Sequence, residues 1–135
     1  MKLVEVVAGI IFDKPQKHVL LALRKPDQHQ GNRWEFPGGK IEPDELQRDA
    51  LQRELLEEID LTVLSSSHRR TLEHHYTDKY VRLHFWDITR FSGTPRGCEG
   101  QLLEWVRLDD LASLSFPEAN QPIVDELLGL SSEKN

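Results

Sequence analysis

The sequence has one cysteine, Cys98, and no long apolar run. A single cysteine excludes an internal disulfide and a zinc cluster built from cysteines. The longest apolar stretch, from Val6 to Phe12, is too short for a transmembrane helix, and the N-terminus has no signal-peptide features. We therefore expect a cytoplasmic protein without a membrane partner.

Basic residues are fewer than acidic ones. The sequence has 17 Lys and Arg against 23 Asp and Glu, which gives a formal net charge of −6. This balance argues against a nucleic-acid backbone as the main partner. It leaves a small phosphorylated ligand open, because a divalent cation can bridge acidic side chains to phosphate. At 135 residues we expect a monomer with a single domain over residues 1–130 and a disordered tail at 131–135.

The stretch from Gly38 to Leu61 combines a glycine pair with an acidic amphipathic helix. Gly38-Gly39 predicts a turn after a short apolar run that Pro37 ends. Asp44 is the predicted N-cap of the helix, and Gln47 stands where a capping box has Glu or Gln. An apolar stripe at four-residue spacing then predicts the face toward the core, formed by Leu51, Leu55 and Ile59.

Three carboxylates crowd the other side of this helix. Glu54, Glu57 and Glu58 are spaced i, i+3, i+4 and project from one face, with Arg53 as the near cation that can pair with Glu57. Like charges within one turn repel each other. A divalent ion such as Mg²⁺ would explain their grouping, because it binds carboxylate oxygens. The alternative is an ordinary solvated acidic helix face.

The spacing of these residues resembles the signature of the Nudix hydrolases. The matching positions are Gly39, Glu45, Arg53-Glu54 and Glu57-Glu58, each in register with that signature. The departure is Asp60, which replaces the final glycine at the helix C-terminus. Asp tolerates the left-handed conformation expected there, so we predict a small stability cost and an intact site.

The resemblance extends over most of the chain and points to the MutT type, the 8-oxo-dGTP diphosphatases. It is carried by Trp34 to Glu42, by Gly97 to Gln101, and by Phe116-Pro117 with Asn120. It implies hydrolysis of 8-oxo-dGTP to 8-oxo-dGMP and pyrophosphate by water attack at the β-phosphorus, which sanitises the nucleotide pool and prevents mutation. Alternatives are a Nudix enzyme for a pyrimidine triphosphate, a dinucleoside polyphosphate or ADP-ribose, and a nucleotide sensor without catalysis.

The resemblance also implies a metal site for Mg²⁺, with Mn²⁺ as a substitute. The implied ligands are the Gly39 backbone carbonyl and the side chains of Glu54, Glu57, Glu58 and Glu99. Glu54 is the first candidate for the base that activates water, and Glu99 is the second. Arg53 would hold the helix carboxylates by ion pairing, with Glu45 as a partner.

Substrate recognition is assigned by the same resemblance. Asn120 would bind the purine edge with its carboxamide, and the Phe36 backbone would contact the oxidised ring. Lys79 stands where this group carries Arg, which removes a planar donor. The other substrate-binding candidates are Arg24, Gly38 and Lys40, with Val4, Val6 and Val81 as apolar walls. Without the resemblance, Asn120 would be a helix cap, the valines strand core, and the cations a solvated surface.

The remaining chain alternates strand and loop patterns. We predict strands at 4–12, 18–23, 33–36, 61–64, 72–76, 80–90 and 103–108, the first two as a hairpin or near neighbours, and a loop at 65–67. Two helices follow, one over 110–114 capped by Asp109 and one over 122–128. This order predicts an α/β class with a mixed sheet between helices, an α/β/α sandwich. The resemblance implies the Nudix fold.

Overall fold

The computed structural model describes residues 2–28 and 31–133, with the backbone alone over 130–133. Two 3₁₀ turns, Leu108–Ser113 and Glu118–Asn120, accompany the main elements. The strands and helices are β1 Lys2–Ile11, β2 His18–Leu23, β3 Trp34–Glu35, β4 Gly38–Lys40, α1 Gln47–Ile59, β5 Thr62–His75, β6 Lys79–Ser92, β7 Leu103–Arg107 and α2 Gln121–Glu133. No helix in these described ranges combines the length and apolarity needed to span a membrane.

The strands form two sheets. The larger sheet has the order β4-β1-β6-β5, with β1 parallel to β6 and the other neighbours antiparallel. The smaller sheet has the order β3-β2-β7 and is antiparallel. The larger sheet is therefore mixed, as the sequence predicts.

Apolar residues of β1 alternate between two cores, one on each face of the larger sheet. Val7 and Ile11 pack with the α1 stripe, while Ala8 and Ile10 pack with α2. Strand β6 follows the same alternation. The sandwich is confirmed, as is the predicted stripe, which is fully buried and consists of Leu51, Leu55 and Ile59.

Strands β1 and β2 do not form a hairpin ladder, so that alternative is wrong. One bridge, Phe12 to Val19, joins them before they enter different sheets. The carboxylate of Asp13 closes the turn by accepting the backbone N–H groups of Lys17 and His18 at 2.9 and 3.0 Å. A turn closed by a side chain does not impose strand pairing, and the chain crosses to the second sheet.

The predicted start of α1 is also wrong. Leu46 is the N-cap residue, without a side-chain cap, and Asp44 has a left-handed φ of 62°. Glu45 performs the local closure, because its carboxylate accepts the Glu42 N–H at 2.9 Å. The Gln47 side chain faces the sheet, where its oxygen accepts the Trp86 indole N–H at 2.9 Å.

Three further boundaries differ from the predictions. The serines at 65–67 lie within β5, because they pair with β6 through irregular register shifts. Arg107, and not Asp109, precedes the turn at Leu108–Ser113, where no side chain caps the helix. Helix α2 continues to Glu133, so 131–133 of the predicted tail are helical, and residues 134 and 135 lie outside the described ranges.

Candidate active site

The glycine pair is a strand, β4, and not the turn that the sequence predicts. It pairs antiparallel with β1, placing Gly38 opposite Ala8 and Gly39 opposite Val7. A Cβ at Gly38 would overlap the carbonyl oxygen of Val7, and one at Gly39 would overlap the carboxylate of Glu54. Glycine is required here because backbone and carboxylate approach closely.

Arg53 joins the loop before α1 to the acidic face of the helix. Its Nε and Nη2 donate to both oxygens of Glu45 at 2.8 Å, and its Nη1 donates to Glu54 at 2.9 Å. Nη2 also donates to the carbonyl of Lys40 at 3.1 Å, and Nη1 lies 3.5 Å from Glu57. The guanidinium thus neutralises part of the repulsion and fixes the Glu54 carboxylate beside Gly39.

The pKa values of the carboxylates around α1 are shifted in opposite directions. Hydrogen bonds from Arg53 lower the pKa of Glu45 to about 2. Burial raises the pKa of Glu54, against the opposing hydrogen bond from Arg53. Burial, followed by the charges of Glu54, Glu99 and Glu35, raises the pKa of Glu58 to about 8, although the Gly38 backbone N–H donates to it. Negative charge is therefore concentrated around Glu58 and only partly compensated.

The end of α1 carries the residue that departs from the signature. Asp60 adopts the left-handed conformation, with φ 58° and ψ 37°, and its N–H bonds the carbonyls of Leu55 and Leu56. Its carboxylate also pairs with Arg96 at 3.2 Å. The left-handed conformation expected at this C-cap is thus confirmed, while the small stability cost and the intact site stay predictions.

A cleft of about 340 Å³ opens beside β4, between the larger sheet and the turn that precedes α2. It brings together most of the residues that the sequence assigns to the substrate and one of the metal-site carboxylates. Those predicted residues are Val6, Arg24, Phe36, Gly38, Gly39, Lys40, Glu58, Lys79, Val81 and Asn120.

Five predicted site residues do not line this cleft. Val4 is partly buried and packs against the core beneath it. The Glu54 carboxylate lies against Gly39, and Arg53 is hydrogen-bonded to Glu54. The Glu57 side chain is 61% exposed. Glu99 is exposed on the loop after β6, close enough to affect Glu58 electrostatically.

Several lining residues were missed by the sequence reasoning. Ala8 and Leu83 could have been found, because each is two positions from a predicted wall residue and shares its face of a strand. Glu35 is held by Arg24 at 2.5 Å, and burial raises the pKa of Glu35 despite that partner. Pro117 and Ala119 lie in the segment around Asn120 that carries the resemblance, although neither is assigned a role from the sequence. No sequence signal marks Gln28 or Tyr76.

Asn120 is a buried polar residue in the cleft wall. It is 8% exposed, and its backbone N–H donates to the carbonyl of Pro117 at 2.9 Å. Its carboxamide makes no hydrogen bond to another residue within the described ranges. Phe36 also lines the cleft, and its ring stacks on that of Phe116 with centroids 5.9 Å apart.

The family model for the NUDIX domain matches residues 7–126. The chain belongs to the Nudix family. This Nudix chain is 39% identical over 127 residues to the 8-oxo-dGTP diphosphatase of Escherichia coli K12, covering 94% of this chain and 98% of that protein. It is 34% identical to the CTP pyrophosphohydrolase of the same strain, covering 99% and 98%.

A solved structure supports the same family and fold. The structure comes from work on MutT of Aliivibrio salmonicida and Vibrio cholerae and superposes with a TM-score of 0.84 at 38% identity. The match covers 96% of this Nudix chain and 99% of the other. The predicted family and Nudix fold are therefore confirmed.

Nudix hydrolases generally use a divalent metal ion, and the donors of this site suit one. Glu58 is partly buried near other carboxylates, and Glu54 fills the space that a Cβ on Gly39 would occupy. Across 2–28 and 31–129, no three Asp, Glu, His or Cys side chains are grouped closely enough to hold a metal by themselves. Mg²⁺ commonly takes one or two carboxylates and completes its shell with water and phosphate. The predicted ligand set stays a prediction.

Proposed function

We propose that this Nudix chain is a Mg²⁺-dependent pyrophosphohydrolase that converts 8-oxo-dGTP and water to 8-oxo-dGMP and pyrophosphate. The observation that carries the proposal is the cleft, which combines the Asn120 carboxamide in its wall with the edge of a group of carboxylates. Asn120 suits a purine edge, and Glu58 with the β4 backbone suits a metal-bound phosphate. The resemblance to 8-oxo-dGTP diphosphatase over 94% of the chain supports the same substrate.

The base would lie between apolar walls and a polar end. Val6 and Val81 supply the wall from adjacent β1 and β6, and the Asn120 carboxamide supplies both a donor and an acceptor. Phe36 lines the same cleft, and its backbone would contact the oxidised ring. A ligand that covers this carboxamide without pairing with it would leave its donor and acceptor unsatisfied, which gives the site a means of discrimination.

The phosphates would bind near β4 and α1. Glu54, Glu57, Glu58, Glu99 and the Gly39 carbonyl are the proposed metal ligands. When bound there, Mg²⁺ or Mn²⁺ neutralises triphosphate charge and lowers the pKa of a coordinated water.

The side chains around this site have separate proposed roles in the reaction. Glu54 accepts the proton of the attacking water, with Glu99 as the second candidate base, while Arg53 holds Glu54 in place. The water oxygen bonds to the β-phosphorus as the bond from that phosphorus to the α–β bridging oxygen breaks, and 8-oxo-dGMP leaves with the bridging oxygen. Arg24, Lys40 and Lys79 add positive charge along the cleft.

The decisive experiment uses equal concentrations of 8-oxo-dGTP, dGTP and dCTP with Mg²⁺ in ¹⁸O-labelled water. We expect strong preference for 8-oxo-dGTP, with the label in pyrophosphate and not in the monophosphate. Replacement Glu54→Gln should reduce turnover at least about 100-fold while circular dichroism stays unchanged, because the base and a ligand are lost. Near-normal turnover of the variant would refute the assignment of Glu54.

A pyrimidine triphosphate is the second candidate substrate. The chain resembles CTP pyrophosphohydrolase over 99% of its length, and Lys79 lines the cleft where the 8-oxo-dGTP group carries Arg. Preference for dCTP in the same assay would support the proposed hydrolysis but would make a pyrimidine triphosphate the substrate. Binding of Mg²⁺ and nucleotide without any product would instead favour a sensor.

The physiological role follows from the proposed reaction. We place it in the cytoplasm, where a monomer acts on free nucleotides and removes 8-oxo-dGTP before it enters DNA. The net charge of −6 supports a free nucleotide over a nucleic-acid chain as the substrate. Expression in a mutator strain that lacks its own 8-oxo-dGTP diphosphatase should lower the mutation frequency, and the Glu54→Gln variant should not.

A further inference from the structure

The loop at 93–102, which we call the Glu99 loop, is attached to the C-terminal end of α1. The backbone N–H of Arg96 donates to the carbonyl of Ile59 at 2.9 Å, and that of Cys98 donates to the carbonyl of Glu58 at 3.0 Å. The last carbonyls of a helix lack partners within the helix, so the loop supplies them. The loop that carries Glu99 is thereby joined to the helix that carries Glu58.

Gln101 adds a side-chain bridge between the same two segments. Its Nε2 donates to the backbone carbonyl of Glu58 at 3.1 Å, and its Oε1 accepts the backbone N–H of Glu99 at 2.9 Å. One planar carboxamide therefore fixes the main chain of Glu99 relative to the main chain of Glu58. The bond to Glu58 is partly buried, so solvent competes less with it than with the exposed bond to Glu99.

The surrounding backbone holds Gln101 in this position. The N–H of Gly100 donates to the carbonyl of Gly97 at 3.0 Å, which closes a tight turn around Glu99. A Cβ at Gly97 would overlap the carbonyl oxygen of Gln101, so the chain on either side of the turn is in close contact. After the turn, the Leu102 carbonyl accepts the N–H of Leu23 at 3.0 Å, which anchors the loop to β2.

We propose that Gln101 is a positioning residue that holds Glu99 against the metal-binding face of α1. The proposal rests on the proposed function, because it needs Glu99 to be a metal ligand. The Glu99 side chain is exposed and lies on a loop, so its placement depends on how the main chain is held. The Gln101 carboxamide supplies that constraint at the Glu99 N–H itself.

A second contact in the same loop provides a matched control. The Arg96 side chain pairs with Asp60 at 3.2 Å, but the two side chains are 73% and 51% exposed. Exposed ion pairs contribute little, and the backbone bond from Arg96 to Ile59 remains in an alanine variant. Arg96→Ala therefore removes a side-chain contact of the loop and leaves the hydrogen bond to the Glu99 N–H in place.

The first measurement is amide hydrogen exchange on metal-free protein. In Gln101→Leu we expect the Glu99 amide to exchange at least about tenfold faster. The leucine side chain is similar in size to glutamine but has no oxygen to accept the Glu99 N–H. The Leu55 amide, within α1, should keep its protection and report an intact fold. Arg96→Ala should leave the Glu99 amide unchanged. Unchanged exchange at Glu99 in Gln101→Leu would overturn the proposal.

The second measurement is the Mn²⁺ dissociation constant, read from the electron paramagnetic resonance signal of free Mn²⁺. Loss of Gln101 should weaken binding by about tenfold, the range typical of residues that support metal ligands, and loss of Glu99 should do at least as much. In a Glu99→Gln background, adding Gln101→Leu should have no further effect, because Gln101 acts through Glu99.

The cycle separates this proposal from the proposed function. Equal weakening by Gln101→Leu in both backgrounds would show a general loop effect and reject a role through Glu99. Unaltered Mn²⁺ affinity in Glu99→Gln would reject Glu99 as a ligand and the proposal with it. If the wild type binds Mn²⁺ but hydrolyses none of the nucleotides, the proposed substrate fails, while exchange and affinity still decide the role of Gln101.

Discussion

Arg53 shows how one side chain organises several negative groups. Its three nitrogens reach Glu45, Glu54 and the carbonyl of Lys40, so the guanidinium plane fixes the relative positions of the loop, α1 and β4. These bonds, led by the one to Glu45, raise the pKa of Arg53, which therefore stays charged. Arg53 does not line the cleft, so the role we propose for it is to hold Glu54 in place.

The geometry of Arg53 leads to a prediction for its conservative replacement. Arg53→Lys keeps the charge but loses the paired bond to Glu45 and the bond to Lys40, because an ammonium has no planar fork. We expect turnover to fall by about 10- to 100-fold with the fold retained. Steady-state kinetics and circular dichroism check this, with Arg107→Lys as the control, since Arg107 pairs with Asp109 on the exposed surface. Equal turnover in both variants would contradict the role of Arg53.

Among elements, β4 is the one whose sequence is most constrained by its neighbours. Gly39→Ala should reduce turnover at least about tenfold, because the new methyl overlaps the Glu54 carboxylate and displaces it. The matched control is Gly129→Ala in α2, where a Cβ would meet nothing within 4 Å. That control should keep full activity and raise the free energy of unfolding by about 0.5–1 kcal/mol.

The measurement combines kinetics with urea unfolding of both glycine variants. Displacement of Glu54 predicts that the activity loss in Gly39→Ala exceeds what its stability loss explains. Full activity in Gly39→Ala would mean that the carboxylate can move aside without consequence, and the proposed place of Glu54 in the site would then be wrong.

The helices and strands that the sequence predicts are those in which a repeating apolar pattern packs against one neighbouring part of the structure. Helix α1 was found from Leu51, Leu55 and Ile59 because four-residue spacing faces one core. The strands predicted at 72–76 and 80–90 lie largely within β5 and β6, which pair with each other across a short polar turn. In both cases the signal is local, so the chain itself contains it.

Prediction failed where a contact from elsewhere decides the structure. Gly38-Gly39 resembles a turn locally but is a strand because β1 pairs with it. Asp44 resembles a cap, but Glu45 closes the loop once Arg53 is in place. Glu35 lies in a segment that carries the resemblance, but its contact with Arg24 in the cleft follows from the pairing of β3 with β2.

At the scale of the whole molecule, polar networks connect elements that are distant in sequence. Arg69 joins Asp87 on β6 to Glu126 on α2, at 2.7 and 3.2 Å. On the other face of the larger sheet, Glu5 of β1 accepts bonds from Arg82 and His84 of β6, each at 3.1 Å. These contacts tie the central strands to each other and to the last helix.

The Glu5 network predicts how stability depends on pH. The hydrogen bond from His84, followed by those from Arg82, lowers the pKa of Glu5 below its ordinary value of 4.5. Its contribution is therefore present above that value and is lost as the pH falls through the lowered pKa. Because the Glu5 side chain is 40% exposed, solvent screening limits the contribution to within about 1 kcal/mol.

Urea unfolding between pH 2 and pH 7 tests this for Glu5→Gln. The variant should be less stable than the wild type at neutral pH, and the difference should shrink at the acid end. The control Glu104→Gln alters an exposed carboxylate on β7 and should leave the acid dependence as in the wild type. A difference that is constant over the whole range would contradict the prediction.

The parallel pairing of β1 with β6 determines the order in which the chain can complete its fold. Lys2 pairs with Lys79 and Ile11 with Ile88, so the first strand made is held by one of the last. Contacts so distant in sequence carry a large loop-closure cost and slow folding. During synthesis, the central strand must stay unpaired on that side until β6 leaves the ribosome, while the β5–β6 hairpin can form at once from neighbouring residues.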